Sequence, residues 1–237
     1  ATHAACMAEL GHEVLGVDVD ETKIEALKNS KVPFYEPGLP EVLERNIEAG
    51  RLDFTTDYAE AAAFGRVHFI GVGTPQQRGS YAADTRYVEA VIDDLVPQLE
   101  GEHLILGKST VPVGTAAALQ QRADALAAAN GNKAQVEIAW NPEFLREGYA
   151  VKDTIEPDRI VLGHRAENSR AEEIAREVYA TPLENDTPFI VTDLQTAELV
   201  KVSANAFLAT KISFINAVSE VCENVGADVT QLADAIG

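Results

Sequence analysis

The run Val67-His68-Phe69-Ile70-Gly71-Val72 constrains the fold more than any other segment. It is continuously apolar, is broken at once by Gly73-Thr74-Pro75, and is too short for an ordinary helix, so it reads as a strand buried on both faces. Such a strand needs helices above and below it, and the flanking sequence supplies them. Residues 103–107, 136–140, 159–162 and 189–191 read as further strands, and 84–95, 115–129 and 168–179 as the helices between them. Upstream, 13–18 reads as a short buried strand and 52–55 as another. Helices are expected at 21–29 with Asp20 as N-cap, at 41–49 with Gly50 as the stop, and from the capping-box pair Asp57 and Glu60 to Phe64. The segment 33–40 reads as a loop. Strands alternating with helices at this spacing predict a parallel α/β sheet.

The pattern changes after Thr192. From Leu194 to Val225 there is no proline, and the first glycine is Gly226. One helix over that stretch would be roughly 48 Å long at 1.5 Å per residue. That is too long for a small α/β layer, so it is expected to link the sheet domain to something else or to pack against a copy of itself. The division expected is 1–192 and 193–237. Residues 1–10 read as the back half of a helix ending at Leu10-Gly11, and 230–237 as another helix ending at a glycine. No start signal precedes the first, so the chain is expected to be a piece of a longer protein.

Composition narrows the function. Nineteen Lys and Arg stand against 38 Asp and Glu, a net charge of −19, which argues against a nucleic-acid partner. No run of about 18 apolar residues is present to span a bilayer. The two cysteines, Cys6 and Cys222, cannot build a disulfide framework, and a reducing, cytoplasmic setting is expected. Both read as small buried hydrophobes and not as nucleophiles. His3, His12, His68, His103 and His164 share no metal-ligand spacing, and no metal is expected.

Several residues could carry chemistry, each with a plainer alternative. Asp18 ends a strand, where an acid in a dinucleotide-binding unit bonds a ribose hydroxyl. It could equally be a loop residue, and Lys23 an exposed helix lysine. Gly73-Thr74-Pro75 and Ser109-Thr110-Val111-Pro112-Val113-Gly114 both follow buried strands, where open α/β sheets bind ligands. The same residues also suit ordinary turns. Glu143 and Glu147, with Phe144, Leu145 and Arg146 between them, would share a face if a helical turn begins there. Paired acids suit acid–base work, or simply a capped helix start. Lys201 and Asn205 lie four apart on the long helix among Val200, Val202, Ala204, Ala206, Phe207 and Leu208. A lysine in that setting is costly unless its charge is used, and a Lys–Asn pair suits a developing oxyanion. A snorkelling lysine is the alternative.

The ordered set of segments resembles one family. Gly11-His12-Glu13-Val14 with Gly16-Val17-Asp18-Val19-Asp20 and Lys23-Ile24, then Tyr35-Glu36-Pro37-Gly38-Leu39 and Gly73-Thr74-Pro75, follow the UDP-glucose 6-dehydrogenase family in order. Lys108 to Gly114, Asn141 to Gly148, Pro157-Asp158-Arg159-Ile160, and Glu198-Leu199-Val200-Lys201 with Asn205 continue the match. The resemblance implies a Rossmann-like doubly wound sheet whose first strand and glycine fingerprint would precede Ala1, followed by a long central helix. It implies NAD as cofactor, UDP-glucose as substrate, a homodimer in polysaccharide biosynthesis, and two-step oxidation of the C6 alcohol to a carboxylate through a cysteine thioester. By the same resemblance Asp18, Lys23, Thr74, Ser109, Thr110 and Glu147 would meet the cofactor. Residues 143–147 would line the sugar site, and Thr110 and Glu147 would position water. Lys201 with Asn205 would stabilise the oxyanion. The nucleophilic cysteine and the UDP-binding domain would follow Gly237, so this stretch alone is expected not to turn over. A GDP-mannose 6-dehydrogenase and a non-catalytic nucleotide-binding or dimerisation module are the competing expectations.

Overall fold

The computed structural model describes residues 1–32, 34–131, 134–165 and 169–237. Pro33, at the head of the expected 33–40 loop, and Asn168, the expected first residue of a helix, lie outside the described residues. Helix α1 (Thr2–Glu9) is followed by strand β1 (Val14–Val17), α2 (Glu21–Lys28), α3 (Leu39–Glu48), β2 (Leu52–Thr55) and α4 (Tyr58–Phe64). Then come β3 (Val67–Ile70), α5 (Arg86–Leu95), β4 (Glu102–Gly107), α6 (Thr115–Ala129) and β5 (Gln135–Trp140). The chain continues through α7 (Ala150–Ile155), β6 (Ile160–Gly163), α8 (Ala171–Val178), α9 (Ala180–Glu184), β7 (Phe189–Thr192), α10 (Leu194–Val225) and α11 (Val229–Ile236).

Local signals act as the sequence indicates. Asp20 accepts hydrogen bonds from the Thr22 and Lys23 amides at the start of α2. Asp57 accepts from the Ala59 amide and caps α4. The reciprocal arm from Glu60 is absent, because the Asp57 amide donates to Thr55 Oγ1 instead. Gly226 closes α10 in the left-handed conformation that favours glycine.

The strands form two sheets. β1 and β2 pair in parallel, and β3-β4-β5-β6-β7 form a five-stranded sheet. β3, β4 and β5 run in parallel, as do β6 and β7. The expectation of a wholly parallel sheet is corrected at β5–β6, which meet antiparallel through Trp140 and Gly163 alone. The reason lies in the connection. A parallel return needs a long crossover packed on the sheet, and α7 instead leaves the sheet to pack against α1. Gln120 of α6 covers part of β5, its amide nitrogen donating to the Val136 carbonyl and its oxygen accepting from the Ile138 amide.

The main core lies between the five-stranded sheet and α5 and α6, around Ile92, Ile105, Leu119, Ile138 and Trp140. A second layer on the opposite face joins Leu104, Leu106 and Leu162 to α8. β4 is therefore buried on both faces. β3 is only partly so over Val67, His68 and Phe69, and β1 is likewise half-buried, because neither has a strand on its second edge among the described residues.

The first turns of α10 pack closely on the sheet, while most of the rest is exposed. A Cβ on Gly163 would lie 2.4 Å from the Ala197 Cβ and 2.7 Å from the Asp193 carbonyl oxygen, so only glycine permits that approach. Beyond Lys201 the expected burial among apolar neighbours does not hold. Phe207, Leu208, Ile212 and Phe214 are each more than half exposed, because α11 is the main element that packs on that length of helix. None of the described helices is long and apolar enough to cross a membrane.

Candidate functional site at the carboxyl ends of the strands

The parallel strands β3, β4 and β5 end side by side, so their following loops meet. Thr74 Oγ1 donates to the Thr110 carbonyl at 2.6 Å, and Ser109 Oγ donates to the Val72 carbonyl at 2.7 Å. The two hydroxyl-bearing turns are thus tied into one rim. A Cβ at Gly71 or Gly73 would meet nothing within 4 Å, so the rim is open on that side.

At the end of β1, the Asp18 carboxylate forms an ion pair with the Lys23 ammonium, both side chains being partly exposed. Asp18 also accepts from the Asp20 amide at 3.2 Å. A half-exposed carboxylate held at a strand's carboxyl end suits a ribose diol. Lys23 lies on Asp18 and so acts with it. Donor and acceptor chemistry at Asp18, Thr74, Ser109 and Thr110 fits a dinucleotide.

The segment after β5 departs from the expected helical turn. Residues 141–146 are extended or irregular, and the helix begins only at Ala150. Glu143 and Glu147 therefore do not share a helix face. Glu143 turns inward. Its Oε2 accepts the Leu145 amide at 2.6 Å, and its Oε1 accepts from Lys201 Nζ at 2.8 Å. Glu147 is exposed. Arg146 turns away, paired with Asp153 at 2.5 Å, and holds that carboxyl below the usual carboxylate range. The Phe144 ring lies under the Arg159 guanidinium, 4.1 Å from its centroid, with Lys201 Nζ 5.8 Å away.

Lys201 is buried, as the oxyanion reading requires. Its Nζ also donates to the Glu143 carbonyl at 2.5 Å. Two of its three donors are engaged there among the described residues, which leaves one for an incoming oxygen. Asn205, one turn further along α10, is exposed, and its side chain makes no hydrogen bond among the described residues. The structure does not join its side chain to that of Lys201.

Three residues outside the expected set shape this site. Lys108 directly follows β4 and is buried, donating to Asn141 Oδ1 at 3.0 Å and to Tyr179 Oη at 3.3 Å. Burial brings it down to about 7, with Lys201 adding to the effect and Glu143 opposing it. It lines a cavity of about 50 Å³ with His3, Asn141, Glu143 and Tyr179. Glu36 is buried and accepts the Gly148 and Ala150 amides at 3.0 and 2.7 Å. Glu198 is buried and accepts the Gly114 and Ala116 amides at 2.7 and 2.6 Å. A charged residue inside an otherwise apolar or turn-forming motif was the available signal for all three. Cys6 and Cys222 are buried free thiols, and burial pushes Cys6 up to about 12, so it is no thiolate. Among the described residues no cluster of three His, Cys, Asp or Glu could hold a metal.

Fold and site together define an α/β dinucleotide-binding protein with a ligand rim at the strand ends. The comparisons make this specific. Residues 1–183 match the UDP-glucose/GDP-mannose dehydrogenase family, NAD binding domain, and residues 195–237 match the same family's central domain. The chain belongs to this family, and its first part is an NAD-binding domain. It is 44% identical over 232 residues to a UDP-glucose 6-dehydrogenase of Rhizobium meliloti, covering 98% of this chain and 52% of that protein. A UDP-glucose dehydrogenase structure from Pyrobaculum islandicum superposes with a TM-score of 0.87 at 39% identity, covering 100% of this chain and 53% of that one. A GDP-mannose dehydrogenase structure from Pseudomonas aeruginosa gives 0.89 at 33% identity, covering 99% and 53%. The chain spans about half the length of the relatives it matches.

Proposed function

We propose that this chain is the cofactor-binding part of an NAD-dependent UDP-glucose 6-dehydrogenase, which oxidises the C6 alcohol to the carboxylate of UDP-glucuronate. The single observation that carries the catalytic reading is the buried Lys201 ammonium, held on Glu143 with one donor free. In this reading, bound NAD supplies a hydride acceptor in each of two steps. Asp18, steadied by Lys23, holds the adenosine ribose, and Thr74, Ser109 and Thr110 line the cofactor rim. Residues 143–147 border the sugar, with Phe144 and Leu145 as its apolar wall and Arg146 keeping the segment on Asp153. Glu147 and Thr110 position a water for proton transfer. Lys201 stabilises negative charge on the reacting oxygen, in a dry setting where such a donor acts strongly. Asn205 joins it once α10 is covered.

The family's two named sugars leave the substrate to be chosen, and the higher identity to UDP-glucose enzymes supports that sugar over GDP-mannose. The domain division in this reading is 1–192 for the cofactor and 193–237 for the start of a central helical region. The homodimer of this reading is supported by the repeat of Phe207, Phe214 and Val221 every seven residues on one exposed face of α10, a spacing suited to packing on a second copy.

The test is NADH formation by the full-length protein with each sugar nucleotide. Two NADH per UDP-glucose are expected, and reduction with GDP-mannose alone would transfer the reading to that sugar. Lys201→Ala is expected to cut kcat by about 10²–10³-fold with little change in KM. An equal loss in both would make Lys201 a structural lysine.

A further inference from the structure

The two carboxylate oxygens of Glu198 bind two backbone amides of another element, Gly114 at 2.7 Å and Ala116 at 2.6 Å. These amides open α6, and Gly114 closes the loop that carries Ser109 and Thr110. Glu198 is completely buried, so water cannot take its place. Lys201 lies three residues on along α10, about 4.5 Å along the axis and close in angle, and its ammonium is bound to Glu143. One rigid helical turn thus carries a carboxylate attached to the loop after β4 and a lysine attached to the loop after β5. The close seat of Ala197 on Gly163 fixes the same turn against β6. No other described residue on α10 links it to the 109–114 loop by a side-chain hydrogen bond.

We infer that Glu198 is a positioning residue that sets the distance between Lys201 and the Ser109–Thr110 rim. This rests on the catalytic reading of Lys201 given above. Two carboxylate contacts to the rim side and two lysine contacts to Glu143 are made by the same turn, so loosening one end moves the other. A glutamine keeps the volume but offers one accepting oxygen and an NH₂ that faces an N–H, so at least one amide loses its partner.

The test compares wild type, Glu198→Gln, Glu198→Asp and Lys201→Ala in the full-length protein, at a temperature where circular dichroism shows all of them folded. Glu198→Gln is expected to lower kcat at least 10-fold and to raise the KM for NAD at least 3-fold, because both loops are disturbed. Lys201→Ala is expected to lower kcat without the NAD effect. Glu198→Asp, which keeps the charge, is expected to recover part of both. A Glu198→Gln protein with a lowered Tm but kcat and both KM values within 2-fold of wild type overturns the inference and leaves Glu198 a helix cap alone. Amide hydrogen exchange gives a readout independent of turnover. Exchange in both the 109–116 and 141–146 peptides is expected to quicken in Glu198→Gln, and quickening confined to 109–116 overturns the coupling. If wild type reduces no NAD with either sugar nucleotide, the catalytic reading fails, while the exchange result still decides whether Glu198 couples the two loops.

Discussion

Replacing Glu36 tests whether the loop bearing Glu147 is held from a distance. Glu36 is 112 residues away from Gly148 in sequence, yet its buried carboxylate receives the Gly148 and Ala150 amides at 3.0 and 2.7 Å. Hydrogen bonds to a charged group contribute about 1.5–3 kcal/mol each. Gly148 and Ala150 are only partly buried, so water replaces part of what Glu36→Ala removes, and the net loss is placed at about 2–3 kcal/mol. A domain of this size loses about 2–4 °C per kcal/mol, so Tm falls by about 4–12 °C. Glu36→Gln keeps the volume and one acceptor, and is expected to lose about half as much. Thermal unfolding followed by circular dichroism gives the magnitude, and hydrogen exchange of the 147–150 peptide gives the location. A Tm change below about 1 °C in Glu36→Ala, with unchanged exchange at 147–150, would refute the view that this contact anchors the site loop.

The remaining predictions concern pH, packing and assembly. Lys108 has a folded value near 7, below its unfolded 10.5. The unfolded chain therefore binds more protons above pH 7, and this residue's contribution to stability rises with pH through that window. Between pH 7 and 8.5 wild type is expected to gain about 1.5 kcal/mol relative to Lys108→Met, measured by denaturant unfolding, and parallel curves would contradict it. Gly163→Ala places a Cβ 2.7 Å from the Asp193 carbonyl oxygen. It is expected to cost about 1–3 kcal/mol by overpacking and to lower turnover by displacing α10, and an unchanged denaturation midpoint would count against the close seat. Phe207→Glu with Phe214→Glu is expected to halve the sedimenting mass of the full-length protein, and an unchanged mass would remove α10 from the dimer contact.

Much of the fold was legible because it is written in local chemistry. α6, β2 and α10 fall where apolar pattern, proline-free length and glycine stops place them, α10 over its full 32 residues. The N-caps at Asp20 and Asp57 hold for the same reason, since a short acidic side chain reaches the amides two or three residues on. α7 and α9 were missed because neither has more than six residues, too few to show a period. The site was legible in part. Lys201, Glu143, Thr74, Ser109 and Thr110 stood out as polar residues at strand ends or on an apolar helix; the fold ties the Thr74 turn to the Ser109–Thr110 turn and joins Lys201 to Glu143.

What the amino-acid order determines alone is most of the longer elements, the α/β class, and which strand ends bear hydroxyl and charged groups, because those follow from contacts a few residues apart. Only tertiary structure decides the rest. The reversal between β5 and β6 depends on α7 packing against α1. The direction of Glu143 depends on a lysine 58 residues later, and the burial of Glu36 and Glu198 on amides 112 and 84 residues away. The exposure of α10 beyond Lys201 depends on what packs there. Periodicity describes a helix face and is silent about its partner, because pairing across such separations is set by chain closure and packing and leaves no local pattern to read.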